Sequence, residues 1–254
     1  MTRAPTRTHF HSSRLARVLT DLAVVDAAEA ATAFAERLGL WVNYTDAIAL
    51  YAVHNTSAPD TRSGAQAAAS RSMEDAFART RTSLERAILR SGTPLRGQIG
   101  IELPMPQADM PSELNSLYEP YRRYYLAHQR EMELQLGSLR ASVRGELVDA
   151  SPALQQLGAL DEVLEGILSE REAKLLATLP LLLKKRFAHW YQWHQHALAE
   201  TQQTDNPLQW MQPQAWLARF CQEVQTVLLA ELDLRLQPAL GLLEALHKEK
   251  EKQR

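Results

Sequence analysis

The densest chemistry in the chain lies in KKRFAHWYQWHQH, Lys184 to His196. Lysine and arginine can neutralise phosphates while indole faces stack bases, so Lys184, Lys185, Arg186, Trp190 and Trp193 are the candidate nucleic-acid or partner-binding residues. On a helix Phe187 and Tyr191 share a face at four-residue spacing, with His194 next to them, and core packing accounts for those three. Membrane-surface binding would need a wide apolar face free of core duty, and this segment has none to spare.

The other reactive types lead less far. A two-histidine metal site on a helix needs residues four apart. His189, His194 and His196 do not have that spacing, and His189 and His196 lie roughly 10 Å apart along the axis. Arg71, Arg79, Arg81, Arg86 and Arg90, with Arg3, Arg7, Arg14 and Arg17, could form a basic surface. Glu74, Asp75 and Glu85 interleave, which favours a mixed solvated face. Tyr118, Tyr121, Tyr124 and Tyr125 flank Arg122 and Arg123 like a recognition patch. Three of those tyrosines fall on an apolar seam, so the expectation is packing with hydroxyls at the rim. Cys221 follows Phe220 with no evident base and reads as a small buried side chain. GxxxxGK[ST], GxGxxG after a strand, HExxH and GxSxG are all missing. No catalytic residue, metal or cofactor is assigned, and the chain reads as a non-enzyme.

Helices must carry these residues. Ser151-Pro152 is a helix start, a hydroxyl cap followed by a proline whose missing N–H costs nothing there. Ser151 to Glu200 then reads as one long leucine-rich rod interrupted by Pro180. Before it, Leu114, Tyr118, Tyr121, Tyr125, His128, Met132, Leu136, Leu139, Val143 and Leu147 make a heptad-like seam. Asp149-Ala150 is a very short connection, which predicts an antiparallel hairpin. The expected fold is all-α, an elongated helical bundle built on a long antiparallel coiled-coil-like hairpin. Its expected parts are a disordered basic arm over 1–11, an N-terminal helical region over 12–90 and a long loop over 91–111. The hairpin over 112–200, a linker over 201–213 and a C-terminal helix with a charged tail over 214–254 complete it. Asp26 is expected to cap a helix through Phe34, Leu38 and Trp41, with a break near Asn43 where Thr45 or Asp46 caps the next. Asn55 to Gly64 reads as a linker.

The 254 residues are 45% hydrophobic and 23% charged, enough for a real core, and the net charge of −2 gives no global drive toward nucleic acid or anionic lipid. Cys221 is the only cysteine, so no intramolecular disulfide forms. The basic N-terminus lacks a secretory apolar run, and no window approaches the ~20 apolar residues that span a bilayer. The expected location is the cytoplasm.

Three segments carry a resemblance: FAERLGLWVNYTDAIAL (Phe34–Leu50), YYLAHQREMELQLGSLRASVR (Tyr124–Arg144) and the stretch Ser151–Phe187. Within them stand Trp41 with Thr45-Asp46-Ala47-Ile48, the run His128 to Glu133, and Pro180 with Lys184-Lys185-Arg186-Phe187. Together they resemble a proteobacterial family of unknown biochemical function. The resemblance implies a gene neighbourhood of membrane proteins similar to flagellar-stator or TolQ-type proton channels and of proteins with an OmpA-like domain. It also implies kinship with an accessory component of a Zorya-type anti-phage defence system. The function expected from it is a non-catalytic adaptor or effector of a proton-driven membrane motor complex, whose partners are stator-like proteins or other defence components. Two further readings stand beside it: a nucleic-acid-binding effector with DNA as its partner, and a self-assembling coiled-coil scaffold, a homo-oligomer.

Overall fold

A computed structural model describes residues 13–22, 43–55, 66–90, 100–111, 113–202 and 204–252. The expected basic arm, the helix from Asp26 through Trp41, most of the Asn55–Gly64 linker and residues 91–99 of the long loop lie outside them. The described residues form α1 (Arg14–Asp21), α2 (Tyr44–His54), α3 (Gln66–Leu89), α4 (Leu114–Val148), α5 (Pro152–Leu176), α6 (Leu179–Thr201), a 3-10 turn (Pro207–Gln209) and α7 (Trp216–Lys252). The fold is all-α, with no strand among the described residues.

Local chemistry sets the helix ends. The Ser13 hydroxyl accepts from the Ala16 N–H at 3.2 Å, and the Ser151 hydroxyl from the Leu154 N–H at 3.3 Å, with Pro152 opening α5. The cap of α2 is Asn43 rather than Thr45 or Asp46. Its side chain accepts from the Asp46 N–H at 2.9 Å, and the Asp46 carboxylate accepts from the Asn43 N–H at 3.0 Å. Each side chain thus satisfies one backbone donor that the helix itself leaves unpaired.

α4 and α5 run antiparallel. Leu147 lies beside Gly158, Arg140 pairs with Asp161, and Gln129 reaches Leu176, so numbers rise on one helix as they fall on the other. Arg140 and Arg144 clasp Asp161 and Glu165 at 2.5–3.3 Å on a half-buried flank. The second arm ends earlier than the leucine pattern suggests. α5 stops at Leu176 and α6 begins at Leu179, because Pro180 has no N–H to give the Leu176 carbonyl. The Gln129 amide fills that vacancy, donating to Leu176 O at 3.1 Å, while the Tyr118 hydroxyl donates to Pro180 O at 2.5 Å. Side chains of α4 therefore hold the break in the rod.

The helix that touches most of the others is α7, not either arm of the hairpin. α7 packs against α1, α3, α4, α5 and α6. Its buried residues include Trp216, Leu217, Phe220, Val224, Val227, Leu228, Leu232, Leu236, Leu243 and Leu246, more than one narrow stripe. A helix apolar over so wide an arc belongs at the centre of a bundle. α4 likewise buries Leu117, Tyr124 and Gln129 beyond its seam, because it faces α7 as well as α5. From the long loop, residues 100–111 form neither helix nor strand and turn at 108–109, with Leu103 buried and Ile101 packed on the core.

Candidate functional site

α6 and α7 also run antiparallel, and their shared face is aromatic. Phe187 lies 5.0 Å from Phe220, 5.3 Å from Trp216 and 5.5 Å from Tyr118, ring centre to ring centre. Mostly tilted and edge-on, these contacts add about 0.5–1.5 kcal/mol per pair beyond area burial. Phe187 is fully buried, and Tyr191 and His194 pack beside it on Trp216, which is the core duty their spacing implies.

That packing orients the cationic segment. Successive helical residues turn by about 100°, so Lys184, Lys185 and Arg186 fan over about 200° of arc. Lys184 is left on one flank of the buried arc and Arg186 on the other, with Lys185 outermost. They do not form one surface. Arg186 turns onto α7, where its Nε and a terminal NH2 donate to the two Glu223 oxygens at 2.8 and 2.7 Å. Those hydrogen bonds hold the Arg186 pKa above its ordinary value against the burial that lowers it. The Trp190 indole N–H donates to the same carboxylate at 2.9 Å. The Arg186 and Arg219 guanidinium carbons lie 5.1 and 5.6 Å from the Trp190 ring centre. Trp193 stands edge-on to Trp190 at 5.9 Å and is 51% exposed. The structure thus joins Arg186, Trp190 and Trp193, adds Arg219 and Glu223, and sets Lys184 apart.

Past α6 the chain turns back through Gln202, at φ 54°, and seals the same end of the bundle. Asp205 accepts from the Trp210 indole at 2.8 Å and lies 2.9 Å from His194 Nε2. Burial raises the Asp205 pKa, but the Trp210 and His194 hydrogen bonds outweigh it and the net shift is downward. His194 is thereby committed to Asp205, and His196 lies 3.6 Å from Glu200. No three His, Cys, Asp or Glu side chains converge as a metal site among the described residues.

Over residues 1–248 the chain matches a family model described as protein of unknown function (DUF3348). The chain belongs to that family. No curated protein and no solved structure matches it.

Elsewhere in this DUF3348 protein the reactive groups are spent inside the fold. The hydroxyls of Tyr118, Tyr124 and Tyr125 are bonded inside the fold, not at the rim. Tyr124 donates to Ile88 O at 3.3 Å, and Tyr125 to Glu231 at 2.6 Å. Burial pushes the Tyr124 hydroxyl up to about 12 and the Tyr125 hydroxyl well above its usual value. Glu231 is fully buried and also accepts from Gln129 at 3.0 and 3.1 Å and from Arg235 at 2.8 Å. A buried carboxylate survives only when so fully paired. The sequence carried the signal: Glu231 interrupts an apolar stripe between Val227 or Leu228 and the residues beyond, with Arg235 one turn on. His128 is buried, and burial lowers its pKa to about 4. Burial raises Cys221 to about 12, and its sulfur lies 3.9 Å from Met211 Sδ, so it is no nucleophile. On the basic side of α3, Arg81 pairs with Glu85 at 2.7 Å, and Arg81 and Arg14 share Asp233. Arg79 and Arg86 line a groove of about 820 Å³ with Asp75, Glu102 and Glu131, which makes that surface mixed in charge.

Proposed function

We infer that this protein is a non-catalytic adaptor or effector, a helical scaffold that presents a binding surface to a macromolecular partner. The observation that carries the reading is Trp193, a large aromatic ring left half exposed on a framework clamped by Arg186, Trp190 and Glu223. Exposed tryptophan and arginine on a rigid support are the residues that dominate protein–protein affinity. Arg186 and Glu223 are committed to each other, and among the described residues around them no nucleophile stands with an activating base. The finer reading, an accessory role beside a proton-driven membrane motor in anti-phage defence, draws its support from the sequence resemblance. No helix among the described residues is long and apolar enough to cross a membrane, so the motor's membrane-spanning part would be the partner's. Pull-down with the cytoplasmic portion of a stator-like partner tests it, and recovery of nothing at mild salt would sink it.

The nucleic-acid reading draws less support from the same face. Arg186 is neutralised by Glu223, Lys184 lies on the far flank, and Lys185 and Arg219 alone stay uncompensated, whereas tracking a phosphate backbone takes a stripe of cations.

A further inference from the structure

We propose that the α6–α7 face docks an acidic polypeptide segment that carries an apolar side chain, a proposal that rests on the adaptor reading above and names its partner's chemistry. The occupant follows from the charges and the ring. Lys185 is exposed and has no ion pair among the described residues. Arg219 is exposed; its Nε donates to Gln214 O at 3.0 Å, and no carboxylate pairs with it among the described residues. With Arg186 cancelled by Glu223, the face has a net charge of about +2 on a chain whose total is −2. Trp193 is half exposed and stands edge-on to Trp190, the ring that Arg219 also covers. Carboxylates on the partner would meet Lys185 and the free edge of Arg219, while an aliphatic or aromatic side chain covers the Trp193 ring. Glu223 lies at the base of the face, neutralised by Arg186, so the uncompensated cations stand apart rather than in the continuous stripe that a phosphate backbone takes. An acidic protein segment can space its carboxylates to match them; a nucleic-acid strand cannot.

The test uses the full chain and three labelled probes: a twelve-residue Asp/Glu peptide with a central Leu-Phe pair, its Asn/Gln counterpart, and an oligothymidylate. Fluorescence anisotropy is read at about 50 and about 200 mM salt. The expected result is saturable binding of the acidic peptide alone, weakened about tenfold by Trp193→Ala and by Arg219→Gln. Lys184→Gln, on the opposite flank, leaves it within about twofold. Equal binding of the Asn/Gln peptide, an equal loss with Lys184→Gln, or no saturation by about 1 mM peptide overturns the proposal. Tighter binding of the oligothymidylate, collapsing between the two salts, overturns it in favour of a nucleic acid. A stator-like partner recovered equally by wild type and by the Trp193→Ala, Arg219→Gln double variant sinks this site while leaving the adaptor reading intact. A partner recovered by neither sinks the adaptor reading, whereas peptide binding is judged on the anisotropy alone.

Discussion

Acidification should destabilise this protein through His128, and the cost can be worked from its burial. The ring is 1% exposed, its Nε2 has no hydrogen-bond partner, and it lies 4.6 Å from the Tyr124 ring. Its pKa is about 4 in the fold, against an ordinary value of 6.5. The unfolded chain therefore binds a proton that the folded chain refuses. Stability is full above pH 6.5, falls as pH drops below it, and the loss is complete once pH passes below about 4. At 1.36 kcal/mol per unit, pH 5 lies 1.5 units into this window and costs about 2 kcal/mol; the full loss is about 3 kcal/mol. The assay is urea denaturation of wild type and His128→Leu at pH 7.5 and pH 5. Carboxylates titrate in both proteins, so the difference between their pH slopes isolates the imidazole. Wild type should lose about 2 kcal/mol more than the variant over that interval. Identical slopes would show that His128 is hydrated or finds a partner, and would refute the burial argument.

Other outcomes follow from single contacts. Gln129→Leu strips donors from Leu176 O and from Glu231 at the break between α5 and α6, so it should cost about 3–5 kcal/mol in chemical denaturation. Gly137→Ala should stabilise α4 by about 0.5–1 kcal/mol, since the added methyl meets nothing within 4 Å and a mid-helix glycine carries only a conformational cost; a lowered melting temperature would contradict it. Cys221 should resist thiol reagents in the native state and react only on unfolding; fast labelling of folded protein would contradict its burial.

Much of the architecture was legible because it rests on local rules. Ser151-Pro152 starts a helix wherever it stands, and three–four spacing from Leu114 to Leu147 implies a long buried face. The misjudged points were tertiary. Nothing local in Leu176–Pro180 says that a glutamine some fifty residues earlier supplies the missing donor, and the break it stabilises ends the rod. The central place of α7 depends on how many neighbours surround it, which one helix's periodicity reports only as a widened stripe. At the candidate surface the residue types were visible but their grouping was not. Lys184-Lys185-Arg186 reads as one basic cluster in a line of text and as a fan on a helix. Arg219 and Glu223, which complete the Trp190 clamp, come from α7, and nothing in the residues of α6 points to them.

The most direct test of the central claim is a quantitative pull-down of a stator-like partner's cytoplasmic portion by wild type and by the Trp193→Ala, Arg219→Gln double variant, both first shown to be equally helical and equally stable. Wild type should capture the partner, and the double variant should capture at least tenfold less. Equal capture by the two proteins would contradict this binding surface, and capture by neither would contradict the adaptor reading.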